Sequence, residues 1–475
     1  MKRLALGLVP AFLAACAASP SPQSTLQIAT VATHRTTVAT AVTDAGAWLR
    51  AAPVQTRVMQ NSDGTTWVGF WIDTPAAAAS AQRPPLDVAL VVDTSGSMSG
   101  SKIANARLAA ASFLDGLADG DVVSLYSFSD QVTELAPPTT VSAPARAVLM
   151  QRVQGLFAAG GTNLHDGLLA GRLATDAAPA SHPVRRIVMI SDGRATVGDT
   201  DPGSIANVAA QATEHGTQVT AIGVGLDYDE GMLNAMAVRS AGRLYHLEEP
   251  QQMATILHNE LELLGDTVAA NVYIELTPAE GVTVEGTDAV RIDRRGPVVR
   301  VPLGSLYGAQ HREVLLRARI PTTGAGARPL GEARLVWQEP GATSPREGAP
   351  VAMRYELTSD PAAPAQSVQE RVQAMVVSYE AAQSQVRATR MLNEGHAERA
   401  EQELRQAEVR IQEAQRTYHF SDDVVQGSLA RQSAGLSSGR AAASAAAQAP
   451  AAARPARARA AALQNNSSAM DALGF

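Results

Sequence analysis

At roughly 150 residues per domain, a chain of 475 residues holds about three domains, too much for one core. Lys and Arg number 39 against 46 Asp and Glu, a net charge of −7, so no overall basic excess exists to hold a phosphate backbone, and nucleic acid is not an expected partner unless a local basic patch provides for it. Hydrophobic residues make up 45% and charged residues 18%, as in a folded protein, and the 4% of aromatics leaves Ala, Val and Leu to fill the cores. A single cysteine rules out an intramolecular disulfide and any multi-thiolate zinc or iron–sulfur site.

Lys2 and Arg3 precede an apolar run from Leu4 to Ala15. That run is too short for about 30 Å of hydrocarbon but suits a signal-peptide core, so residues 1–15 are expected to direct export. It ends in Leu13-Ala14-Ala15-Cys16, which resembles the bacterial lipoprotein processing box. The resemblance implies a lipid on Cys16, which becomes the new N-terminus and attaches the protein to a membrane in the cell envelope. An ordinary signal peptide with a chance cysteine is the alternative, and it too exports the body. Ala17 stands where an Asp retains lipoproteins at the inner membrane, so the outer membrane is the expected destination. Residues 16–25 form a small-residue tether. No other stretch approaches about 18 uninterrupted apolar residues.

Residues 26–85 carry β-prone runs. Leu26 to Thr43 hints at strand, and Val54–Met59 and Thr65–Ile72 flank the polar turn Asn61-Ser62-Asp63-Gly64, which predicts a hairpin. Trp67, Phe70 and Trp71 need more cover than two strands supply, so the hairpin is expected to join the sheet that follows the next domain. Pro75 to Pro85 reads as a linker. Residues 86–264 alternate short apolar strands (Val88–Asp93, Val122–Phe128, Arg186–Ser191, Val219–Val224, Arg243–Leu247) with helical patterns, the mark of a doubly wound α/β domain with a parallel sheet. Residues 265–360 change to alternating segments between Pro/Gly turns and predict a β-sandwich, with the α/β domain inserted in or followed by it. Residues 364–418, broken at Asn393-Glu394-Gly395, carry two apolar stripes and predict an αα-hairpin. Residues 419–475 are largely Ala, Ser, Arg and Pro, and are expected to form a disordered tail.

The first α/β strand runs into Asp93-Thr94-Ser95-Gly96-Ser97, where functional groups of an open parallel sheet collect. Alternate spacing in a turn lets Asp93, Ser95 and Ser97 converge. Asp-x-Ser-x-Ser resembles the metal-ion-dependent adhesion site of the von Willebrand factor type A family, found also in integrin inserted domains. Gly160-Gly161-Thr162-Asn163 and Ile190-Ser191-Asp192-Gly193 match the family's two remaining ligand positions, Thr162 and Asp192, in order. The resemblance implies Ser95, Ser97 and Thr162 as direct ligands, with Asp93 and Asp192 often acting through water. Two carboxylates and three hydroxyls, without His or Cys, suit Mg²⁺ first, then Mn²⁺ or Ca²⁺, over Zn²⁺. So few negative ligands leave the ion net positive, able to accept an Asp or Glu carboxylate from a protein partner.

Competing motifs are weaker. Ser99-Gly100-Ser101-Lys102 fits the S-x-x-K pattern of penicillin-recognising serine enzymes but lacks its companion motifs. Gly96 to Lys102 fails the spacing of a phosphate loop. His165 and Asp166 could serve acid–base chemistry or simply start a helix. Arg440, Arg454, Arg457 and Arg459 could touch lipid headgroups or an acidic polymer, or only solubilise the tail. The sequence thus points to a non-enzymatic, lipid-anchored binding protein of unspecified oligomeric state, with a structural envelope component or a serine acyl-transferase or hydrolase as alternatives.

Overall fold

The structure is a computed structural model and describes residues 48–77 and 83–475. The signal peptide, Cys16, the tether and the Leu26–Thr43 segment lie outside these residues. The chain opens with strands β1 (Leu49–Pro53), β2 (Arg57–Met59) and β3 (Thr65–Asp73). The α/β domain then runs through β4 (Leu86–Asp93), α1 (Ser101–Gly116), β5 (Val122–Phe128), β6 (Val132–Thr140), α2 (Ala143–Gln154), α3 (Leu164–Asp176), β7 (Val184–Ser191), α4 (Pro202–Glu214), β8 (Thr217–Val224), α5 (Glu230–Arg239), β9 (Arg243–Leu247) and α6 (Met253–Gly265).

Its sheet has the order β6-β5-β4-β7-β8-β9, parallel except for β6 at the edge. Every residue of β4, β5 and β8 is buried, because helices cover both faces. Helices α1, α2 and α6 enclose one apolar layer with Val88, Leu90 and Val92, while α3, α4 and α5 enclose the other with Ala89 and Val91. The sequence missed β6, whose Pro137 and Pro138 are tolerated only because the strand is antiparallel, half-exposed and at an edge.

The sandwich comprises β10 (Thr267–Pro278), β11 (Thr283–Glu285), β12 (Asp293–Arg295), β13 (Val298–Tyr307), β14 (His311–Arg319), β15 (Gly326–Gln338), β16 (Pro345–Glu347) and β17 (Val351–Thr358). One sheet has the order β1-β3-β14-β11 and the other β12-β13-β10-β15-β17-β2, with β16 on β15. Val68, Phe70, Ile72 and Leu316 of the first meet Ile274, Leu335, Trp337 and Tyr355 of the second in a common core. The α/β domain is therefore inserted between β3 and its partner β14. The predicted hairpin is corrected: β3 pairs with β1 and β14, whereas β2 crosses to run parallel to β17. Both edges of β3 are already occupied, so β2 must pair elsewhere. His311 clamps the junction, its ring nitrogens 2.6 Å from Asp73 and 3.1 Å from Glu313. Burial alone would discharge this imidazole, but the two carboxylates push its pKa up to about 9.

Four long helices finish the chain after the short α7 (Ala363–Gln366): α8 (Glu370–Asn393), α9 (Ala397–Tyr418), α10 (Asp423–Ala447) and α11 (Arg454–Leu473). The outer face of β3 is covered by Val372, Met375 and Val376 of α8, beside Trp67 and Trp71. A Cβ at Gly69 would lie 2.9 Å from the Val372 side chain, so only glycine lets the helix seat here. The expected disordered tail is corrected: α10 and α11 are packed helices that bury Leu429, Leu436, Ala443, Ala462 and Met470. Alanine has the highest helix propensity, and small residues let helices approach closely, so the bias of this segment serves packing. At Gly439 a Cβ would lie 2.1 Å from Asn465 of α11. Two of the four arginines are engaged by acids: Arg440 pairs with Glu408 at 3.0 Å, and Arg459 binds Glu230 at 2.7 Å, while Arg454 and Arg457 are exposed. Among the described residues no helix is long and apolar enough to cross a membrane.

Two outcomes test this packing. Gly439→Val should cost about 1–3 kcal/mol in chemical denaturation, with faster proteolytic loss of residues 419–475. Asp87 is 1% exposed, neither carboxylate oxygen has a hydrogen-bond partner among the described residues, and burial raises its pKa to about 7 against the pull of Arg185. The folded state thus holds this proton between the unfolded pKa and about 7, and stability falls as pH rises through that window, by up to about 1.4 kcal/mol per unit. Asp87→Asn should remove this slope, so its advantage in melting temperature over the wild type should grow from pH 5 to pH 8.

Candidate metal centre

Strands β4 and β7 are parallel neighbours, with Val92 opposite Ile190, so Asp93 and Asp192 leave adjacent strand ends on the same side of the sheet. Both are fully buried. After Asp93 the chain turns sharply: the Asp93 carboxylate accepts from the Ser95 amide at 2.8 Å, and the Thr94 amide donates to Phe128 O at 2.8 Å. Gly96–Met98 forms one tight helical turn that buries Met98, and Gly100, at φ 76°, swings the chain into α1. That positive φ strains any other residue.

The third arm is the loop 155–163. Gly96 N donates to Gly160 O at 2.9 Å and Ala159 N to Thr94 O at 2.8 Å, which fastens the loop to the β4–α1 turn. Gly161 N donates to the Asp130 carboxylate at 2.8 Å. Thr162 is held by its amide, which donates to Thr196 Oγ1 at 3.0 Å, and by its carbonyl, which accepts from Thr196 N at 2.9 Å.

The five side chains picked out in the sequence meet here. Ser95 Oγ lies 3.0 Å from Ser97 Oγ, and Ser97 Oγ donates to Asp192 Oδ1 at 2.7 Å. A Cβ placed on Gly193 would sit 3.3 Å from Thr162 Oγ1 and 3.6 Å from Ser97 Oγ, so both hydroxyls border one spot. Ser95 and Thr162 are buried while Ser97 is exposed, so the cluster opens to solvent on the Ser97 side. Desolvation raises the Asp93 pKa to about 6; the Ser191 hydroxyl, at 2.6 Å, and Ser95 pull it down, and the Asp192 charge pushes it up. Oxygen donors around two buried carboxylates suit a hard divalent cation. Among the described residues no group of three or more His, Cys, Asp or Glu is placed to hold a metal, so an ion here would depend on the hydroxyls.

Sequence reasoning missed one member. The Lys102 ammonium forms an ion pair with Asp192 Oδ2. Lys102 lies in the first turn of α1, which has no acidic residue, although a cation there opposes the helix dipole. That misplacement is the signal that could have found it. The same contact separates Lys102 from Ser99, whose hydroxyl donates to Gly96 O at 2.7 Å, so the S-x-x-K pair is not assembled. His165 and Asp166 bond to each other at 2.9 Å at the start of α3, where Asn163 caps the helix. They add nothing to the cluster.

Residues 87–259 match the von Willebrand factor type A domain family. The chain carries a von Willebrand factor type A domain. It is 31% identical over 198 residues to human inter-alpha-trypsin inhibitor heavy chain H4, covering 40% of this chain and 21% of that protein. It is 25% identical over 280 residues to an uncharacterized protein of Synechocystis, covering 56% of this chain and 65% of that one. The chain thus spans about a fifth of one relative and under two thirds of the other. A solved von Willebrand factor type A structure from Catenulispora acidiphila superposes with TM-score 0.66 at 17% identity, covering 81% of this chain and 88% of that one. The shared fold therefore extends beyond the type A domain.

Ser191→Ala would leave a buried Asp93 oxygen without its hydroxyl donor. The expected loss is about 1–3 kcal/mol of stability by denaturant titration of the metal-free protein.

Proposed function

We propose that the type A domain is a metal-dependent protein-binding module. Asp93, Ser95, Ser97, Thr162 and Asp192 would hold a divalent ion, Mg²⁺ in the first place with Mn²⁺ or Ca²⁺ as substitutes. The bound ion supplies a Lewis-acidic position that an Asp or Glu carboxylate of a protein partner completes. The observation that carries this reading is the convergence of five oxygen-bearing side chains from three separate loops at the carboxyl end of a parallel sheet, with both carboxylates buried. The protein's own part is positional. Ser191 and the Ser95 amide orient Asp93, Thr196 fixes Thr162, and Ser97 faces the solvent from which a partner arrives.

The chain is read as non-enzymatic, since among the described residues Ser99 Oγ is bonded to the Gly96 carbonyl rather than to a base, and the candidate acid–base pair His165–Asp166 is turned to a helix start. The lipoprotein box at Cys16 supports an anchored location in the cell envelope, at the outer membrane, from which the domain would capture a partner. Calorimetric titration of Mg²⁺, Mn²⁺ and Ca²⁺ into the chelator-stripped full chain is expected to show one site per chain, lost in the Asp93→Ala/Ser95→Ala variant. Absence of binding by the wild type to all three ions, or binding retained in the variant, would overturn the assignment.

A further inference from the structure

Two buried carboxylates side by side are costly without a positive charge, and here a side chain provides one. The Lys102 ammonium pairs with Asp192 Oδ2 while Ser97 occupies Asp192 Oδ1, so both oxygens of that carboxylate are engaged. The place of the ammonium is shaped for it. Gly225, at φ 80° in the turn after β8, faces the lysine tip, and a Cβ there would lie 3.4 Å from both Lys102 Cε and Nζ. The Gly225 amide is tied to Leu247 O at 2.6 Å, which fixes that wall. The lysine side chain is 21% exposed against 0% for Asp192, so its four-carbon stem has an open route to solvent while its partner has none.

From this geometry, and resting on the metal-site reading above, we infer that Lys102 is a resident counter-cation that competes with the divalent ion for Asp192. The charges give the sense of the competition. Asp93 and Asp192 carry two negative charges, which one ammonium leaves under-neutralised and one divalent ion balances. Ion and ammonium together overfill the pocket by one positive charge, so metal entry drives the Lys102 tip outward along its open side. Lys102 therefore lowers the affinity for the ion while holding the metal-free pocket together.

The test is calorimetric Mn²⁺ titration of the chelator-stripped full chain, with thermal melting of the same samples before metal is added. Lys102→Met is expected to bind Mn²⁺ about tenfold more tightly than the wild type, and to melt lower when metal-free. Lys102→Arg keeps the charge and should resemble the wild type, and circular dichroism confirms that each variant is folded. Binding by Lys102→Met that is tighter than the wild type's own supports the competition. Equal or weaker binding by Lys102→Met, or a Lys102→Arg as tight as Lys102→Met, overturns it and leaves the metal site standing. Failure of wild type and both variants to bind sinks the metal reading itself, and the competition with it.

Discussion

The adjacency of Asp93 and Asp192 at the ends of two parallel strands is the constraint around which the type A domain is arranged. Neither carboxylate reaches solvent, and four nearby donors serve them: the Ser95 amide and Ser191 hydroxyl to Asp93, the Ser97 hydroxyl and Lys102 to Asp192. The loops that bring these donors are in turn fastened to one another by main-chain bonds rather than by packing of large side chains. A pocket built this way changes its electrostatics with little backbone movement, because the hydroxyls can rotate and the lysine can withdraw while the strand ends stay fixed.

The other end of the sheet is tied just as firmly, to a different body. Glu260 of α6 is fully buried and accepts from Thr220 at 2.6 Å and Tyr245 at 3.0 Å, while the buried Arg186 lies 3.4 Å from it and donates to Tyr307 of β13 at 2.6 Å. The backbone of Ser305 donates to Gln218 of β8 at 2.9 Å. The last helix of the type A domain is thus registered by a charged group that cannot slide one turn without losing partners in a low-dielectric interior. The C-terminal helices add a second attachment, where Arg459 grips Glu230 and Asn466 pairs with Asn234 of α5.

Much of this was readable from residue order. The parallel strands stood out because burial on both faces demands unbroken apolar runs, and the five clustered oxygen-bearing side chains because each follows a strand or a glycine-rich loop. What escaped the reading depended on partners distant in sequence. The pairing of Lys102 with Asp192 spans 90 positions, and the misplaced cation in the first turn of α1 marks the lysine without naming its partner. The turn Asn61–Gly64 has the composition of a hairpin, yet the edges of β3 were already claimed by β1 and β14. In α10 and α11 composition misled outright: the Ala, Ser, Arg and Pro bias that suggests a disordered tail belongs to packed helices, in which Gly435 and Gly439 lie against Ser468 and Asn465.

The insertion of the type A domain into the sandwich has a bearing on how the molecule forms. Asp73 and His311 face each other across the β3–β14 ladder although they stand 238 positions apart. The sandwich core therefore has high contact order and must wait for a long loop to close, whereas the βα units between are assembled from near neighbours. Folding during synthesis would run from the inside outward, with the inserted domain acting as a prefolded clasp that brings β3 and β14 within reach. Until the clasp closes, the β3 edge that pairs with β14 and the apolar face carrying Phe70 and Ile72 stay uncovered, which opens this strand to aggregation.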